Sequence, residues 1–197
     1  MVKLEQDPTA RFDTGAYRWK RVLVIGSGSD LDKREMADLV DGPTYDVVAR
    51  VNKHYGDPKR VGTRTDVIFT RWPSWLDRFD WFSEREQARA QEIVVLNVGM
   101  GYSRTEYQWL CQRVGHNNVS AGSQAIDFFL NRGAASVDVV GFGFKDGAWS
   151  KDKLYSTANP SQIPTSKTDG AKDINNAYDW TRERRWLKAE ARVHPLP

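Results

Sequence analysis

The stretch VLVIGSGSDLDK, residues 22–33, decides how the chain is read. Four apolar residues, Val22, Leu23, Val24 and Ile25, run into Gly26-Ser27-Gly28-Ser29, and a charged, helix-like segment follows. A short apolar run bounded by small residues reads as a buried strand. Strand, small-residue turn and helix in succession present backbone N–H groups to an anion. The stretch therefore points to phosphate binding. The rest of the chain has to say what carries the phosphate.

A dinucleotide is the first candidate, and two residues argue against it. The G-x-G-x-x-G fingerprint needs a glycine at position 31, where Leu31 stands. It also needs a ribose-binding acid at the end of the second strand, about 20 residues on. That strand, DVVARV at 46–51, is followed by Asn52. A nicotinamide cofactor is not expected, and no other cofactor is implied.

Working outward, further strands read at 66–70, 92–98 and 137–142 from their apolar, β-branched runs. Helices read at 33–40, 105–113, 120–130 and 178–192, with two helical pieces around Pro73 and a polar loop over 143–176. Strands alternating with helices give an α/β fold with a mostly parallel, Rossmann-like sheet flanked by helices. Ligands of such sheets bind outside the carboxyl ends of the strands. One domain over 21–192 is expected, with an N-terminal arm at 1–20 and a tail at 193–197.

Composition sets outer limits. With 197 residues the chain can bury a real core. A net charge of +3 permits an anionic partner without requiring one. Cys111 is the sole cysteine, so no intrachain disulfide forms, which favours a reducing compartment. No run approaches the roughly 20 apolar residues of a membrane span, and the opening MVKLEQDPTARFD lacks a signal-peptide core. A cytoplasmic protein with no membrane partner is the expectation.

Three blocks together resemble the eukaryotic-type sialyltransferases. VLVIGSGSDL, DVVARVN and VGTRTDVIF are similar to the large sialylmotif at Gly26, Ser27, Gly28, Ser29, Asp46, Arg50, Asn52, Val61, Gly62, Thr63 and Thr65. VSAGSQAIDFFLNRGAASVDVVGFGF, residues 119–144, is similar to the small sialylmotif, with Ser120-Ala121-Gly122 opening a helix and Gly141-Phe142-Gly143-Phe144 closing a strand. AYDWTRERRWL, residues 177–187, is similar to the last motif, in which a histidine precedes a glutamate by five residues. Glu183 matches that glutamate, and Tyr178 stands where the histidine is expected.

The resemblance implies a single-domain glycosyltransferase with a variant of the A-type fold, working without a metal. Its donor is a nucleotide sugar, CMP-linked, held by Gly26, Ser27, Gly28, Ser29, Asn52, Ser120, Ala121, Gly122 and Gly143. Its acceptor hydroxyl needs a base. Tyr178 has an ordinary pKa near ~10 and suits this poorly. Asp179 beside it and His54 on the nucleotide rim are the other candidates. Trp72, Trp75 and Tyr102 are candidates for stacking on an acceptor, a glycan or DNA. Asp30-Leu31-Asp32 matches a metal-binding D-x-D in form, but acids belong at a helix start for capping reasons alone. Two other readings remain: transfer to a modified base in DNA, and an inactive relative that binds a nucleotide or glycan.

Overall fold

The computed structural model describes residues 15–26, 31, 34–51, 57–70, 92–95, 102–142 and 180–196. In chain order these form β1 (Arg21–Ile25), α1 (Ala37–Asp41), β2 (Val47–Val51), α2 (Pro58–Val61), β3 (Val67–Thr70) and β4 (Glu92–Val95). They continue with α3 (Arg104–Val114), α4 (Ala121–Asn131), β5 (Ser136–Val140), α5 (Trp180–Ala189) and β6 (Val193–Pro195). The six strands lie in the order β4-β3-β2-β1-β5-β6, and each neighbouring pair is parallel. The expected α/β class with a parallel, Rossmann-like sheet is what the chain forms.

Alternation along the strands explains the two layers. Val22 and Val24 of β1, Ala49 and Val51 of β2, and Val137 and Val139 of β5 join one core with Phe128, Phe129 and Leu187. Leu23, Ile25, Val48 and Val140 join the other, with Met36, Val40 and Val61. Both faces are covered, which is why the strands read as continuous apolar runs. Arg50 is buried on the second face at 1% exposure. Its Nε donates to Thr65 Oγ1 at 2.9 Å and its Nη2 to the Gly62 carbonyl at 3.0 Å. The arginine of the first motif thus ties β2 to the loop before β3.

Helix α3 carries a capping box between Ser103 and Glu106, and Gly115 ends it with a φ of 74°. It meets α4 through buried charge. Arg132 Nη1 donates to Glu106 Oε1 at 2.8 Å, and Asp127 accepts from Tyr102, Asn131 and Arg113.

Several boundaries differ from expectation. The helix expected over 33–40 begins at Ala37, because Met36 N donates to the Arg60 carbonyl at 2.7 Å and holds the preceding residues to α2. The strand expected to reach 142 stops at Val140, since Gly141 has a φ of 74°. Residues 15–20 belong to the body rather than to an arm: Tyr17 packs edge-on against Phe128 and Phe129, with ring centroids 5.6 and 5.0 Å apart. The expected tail supplies a strand, β6, whose neighbour Leu196 donates from its N–H to the Val139 carbonyl at 2.9 Å. Pro195 is tolerated there because β6 is the sheet edge.

The ends of β1 and β5 leave no room for side chains. A Cβ on Gly26 would lie 2.4 Å from the Gly141 carbonyl oxygen. Backbone cannot swing aside as a side chain can, so Gly26→Ala should cost about 1–3 kcal/mol in urea unfolding. A loss below about 0.5 kcal/mol would mean that the two strand ends are free to part.

Candidate functional site

The strand order reverses between β1 and β5. The chain goes from β1 through β2 and β3 to β4 on one side, then returns to β5 and β6 on the other. Such a switch point opens a crevice at the carboxyl ends of the two strands. Here the switch point lies at Gly26 and Gly141, whose backbones are in direct contact. Gly26 N donates to the Val140 carbonyl at 2.8 Å, so the ladder holds to its last rung. A Cβ on Gly141 would lie 3.0 Å from Gly26 O and from the Leu31 side chain. Leu31, at the third-glycine position of the dinucleotide fingerprint, is thus a buried core residue packed against Gly141.

The next wall is the first turn of α4. A Cβ on Gly122 would lie 2.2 Å from Cε1 of Phe142, so only glycine lets this turn rest on the residue that follows Gly141. Gly26 and Gly141 therefore bring the ends of β1 and β5 together through backbone, and Gly122 seats the start of α4 on the Phe142 ring. Close backbone approach of this kind is how parallel sheets receive phosphates and ribose.

Ser120 caps α4, its Oγ accepting from Ser123 N at 3.2 Å. Glu183, in the first turn of α5, is fully buried at the same point. Its Oε1 accepts from Ser120 N at 3.0 Å. Its Oε2 accepts from Ser120 Oγ and from Ser123 Oγ, each at 2.5 Å. A carboxylate at a helix N-terminus gains from the dipole, and charge-assisted bonds offset its lost hydration. The cap and Glu183 together use the N–H groups of Ser120 and Ser123. Those of Ala121 and Gly122 have no partner within the helix.

These contacts redistribute the expected roles. Gly26, Ala121 and Gly122 lie at the carboxyl rim of the sheet. Ser120 is there too, but its hydroxyl and N–H are engaged by Glu183. Tyr102 does not serve an acceptor: it is buried, and its hydroxyl donates to Asp127 Oδ2 at 2.7 Å. Burial, reinforced by the Asp127 charge, pushes its phenol far above the ordinary range, so it stays protonated. Ser27, Gly28, Ser29, Asn52, His54, Trp72, Trp75, Gly143, Tyr178 and Asp179 lie outside the described residues. Among the described residues no group of three or more His, Cys, Asp or Glu side chains could hold a metal ion.

Glu183 is the residue that reading the sequence for chemistry undervalued. Its signal was present as the Ser120-x-x-Ser123 spacing, which puts two hydroxyls on the opening turn of α4. Glu183→Ala would strand a buried N–H and two buried hydroxyls, and should cost about 2–4 kcal/mol. Glu183→Gln keeps one acceptor oxygen and should cost less. A parent-like urea midpoint for Glu183→Ala would contradict this clamp.

No family model matches the chain, and no curated protein matches it by sequence. Solved structures do match. A mammalian sialyltransferase in complex with Gal-beta-1-3GalNAc-ortho-nitrophenol aligns with a TM-score of 0.59 at 16% identity, covering 90% of this chain and 69% of that one. A further structure of a mammalian sialyltransferase gives 0.58 at 16% identity. The sialyltransferase CstII from Campylobacter jejuni, in complex with a substrate analogue, cytidine-5'-monophosphate, gives 0.55 at 12% identity, covering 91% of this chain and 80% of that one. The chain has a sialyltransferase-like fold.

Proposed function

We propose that this protein is a glycosyltransferase that takes a sugar from a nucleotide-sugar donor, CMP-linked, and passes it to an acceptor hydroxyl. The observation that carries the reading is the β1–β5 switch point, with the start of α4 packed beside it through glycines, in a fold shared with sialyltransferases. One of those neighbours was solved with cytidine-5'-monophosphate and another with Gal-beta-1-3GalNAc-ortho-nitrophenol.

Electrostatics suggests how a nucleotide would lie. Glu183 already places its carboxyl group at the N-terminus of α4. A phosphate at the same point would meet a dipole that this carboxylate has largely offset. Ribose hydroxyls, which are neutral, suit the N–H groups of Ala121 and Gly122 better. The phosphate then belongs to the loop after β1, at Ser27, Gly28 and Ser29, with Asn52 and Gly143 closing the two sides. Backbone donors in that loop would stabilise the charge that develops on the leaving nucleotide. Trp72 and Trp75 are proposed for the acceptor, a glycan.

For the base, Asp179 is favoured over Tyr178, with His54 in reserve. Both Tyr178 and Asp179 directly precede α5, whose first turn Glu183 fastens to α4. The C-terminal helix would thereby bring Asp179 towards the crevice. No metal has a part in this scheme.

Two measurements test the reading. In a thermal-shift series, CMP at about a hundred times its dissociation constant should stabilise the protein by about 2.7 kcal/mol, and UDP and GDP at the same concentration by much less. Equal response to all three, or to none, overturns the cytidine donor. In transfer or donor-hydrolysis assays, Asp179→Asn should lower the rate by about 10²-fold or more, and Tyr178→Phe by less. EDTA should leave the rate unchanged. Strict dependence on manganese or magnesium would overturn the metal-free scheme, and CMP binding without any turnover would mark an inactive relative.

A further inference from the structure

At the opposite end of the sheet the chain holds an aromatic side chain out in water. Trp19 is 74% exposed, and its φ is 64°. Bulky side chains rarely adopt that left-handed backbone, and it costs strain. The position is not loose. Trp19 N donates to the Gly133 carbonyl at 2.9 Å, and Ala135 N to the Lys20 carbonyl at 2.9 Å. Tyr17, two residues earlier, is locked edge-on into the core. The backbone is pinned on both sides while the indole is left outside.

Positive charge gathers around it. Arg18, Lys20, Arg21 and Arg192 are all exposed. The Arg18 guanidinium lies 5.4 Å from the indole centroid. Arg192 Nη1 donates to the Ala134 carbonyl at 3.1 Å, which places it beside the residue bonded to Lys20. The acid next to this group is Asp46, whose Oδ2 accepts from Arg21 N at 2.8 Å. The cations span the amino ends of β1, β5 and β6, neighbouring strands of the sheet.

We propose that this rim binds single-stranded nucleic acid, a base stacking on Trp19 and phosphates meeting Arg18, Lys20, Arg21 and Arg192. A ring held open beside a cationic track is what sequence-tolerant single-strand binding requires. An anionic membrane is the poorer fit, because Trp19 is the sole large apolar side chain exposed among the described residues, and one ring does not make an inserting face. The rim is a full strand away from the crevice, about 16 Å along five residues. Binding there stands whether or not the crevice transfers sugars.

Fluorescence anisotropy with dye-labelled oligothymidylate and oligouridylate tests the proposal. Both should bind at low salt and weaken as salt rises. Trp19→Gly removes the ring and relieves the positive φ, so it should lower affinity about fivefold or more. Its melting temperature should hold or rise, which separates lost stacking from lost folding. Lys20→Glu, a second and independent variant, should weaken binding and flatten the salt dependence. Absence of binding at low salt, or parent-like binding by Trp19→Gly, overturns the proposal. So does capture by vesicles rich in anionic lipid with no binding of either oligonucleotide.

Discussion

A single buried side chain, Glu183, organises the carboxyl end of the sheet. Glu183 reaches back 63 residues to the cap of α4 and engages one N–H and two hydroxyls there. Removing an ion from water costs several kcal/mol, and such a group persists only where donors and dipole compensate it. Much else follows from that contact. The start of α4 is fixed, so Phe142 can rest on Gly122. Phe142 fixes the turn at Gly141, and Gly141 closes on Gly26. The contact between the ends of β1 and β5 is the last term of this series, and glycines at 26, 122 and 141 permit the close approaches.

The same carboxylate sets the character of the crevice. An uncovered helix N-terminus attracts anions. Here the carboxyl group of Glu183 already occupies that end of α4, bonded to Ser120 and Ser123. On the proposed reading the two halves of a nucleotide would find different partners, ribose at the helix and phosphate at the loop after β1.

How much was legible in the sequence depends on the kind of signal. The parallel strands were readable because both faces are buried, so Val22 to Ile25 is an unbroken apolar run and Val47 to Val51 is interrupted only by the buried Arg50. The helix at α4 was readable from its Ala125, Ile126, Phe129 and Leu130 stripe and its Ser120 cap. Strand β6 was not, because Val193, His194 and Pro195 are too few to show a period and a proline argues against strand. Tyr17 was not, because one aromatic in a polar stretch carries no pattern, although its ring meets Phe128 and Phe129. Tyr102 was misread for a related reason: composition cannot tell a tyrosine that stacks on a ligand from one whose hydroxyl is spent on a buried aspartate. The glycines at 26, 122 and 141 were visible as residues. Their function, mutual close approach, is a property of three distant segments and appears only when the sheet is assembled.

The most direct test of this account is a crystal structure of the protein with CMP. The nucleotide should lie at the switch point beside Gly26 and Gly141, with its ribose against the N–H groups of Ala121 and Gly122 and its phosphate against the loop after β1. A phosphate bound at the start of α4 beside Glu183, or a nucleotide bound away from the β1–β5 switch point, would contradict it.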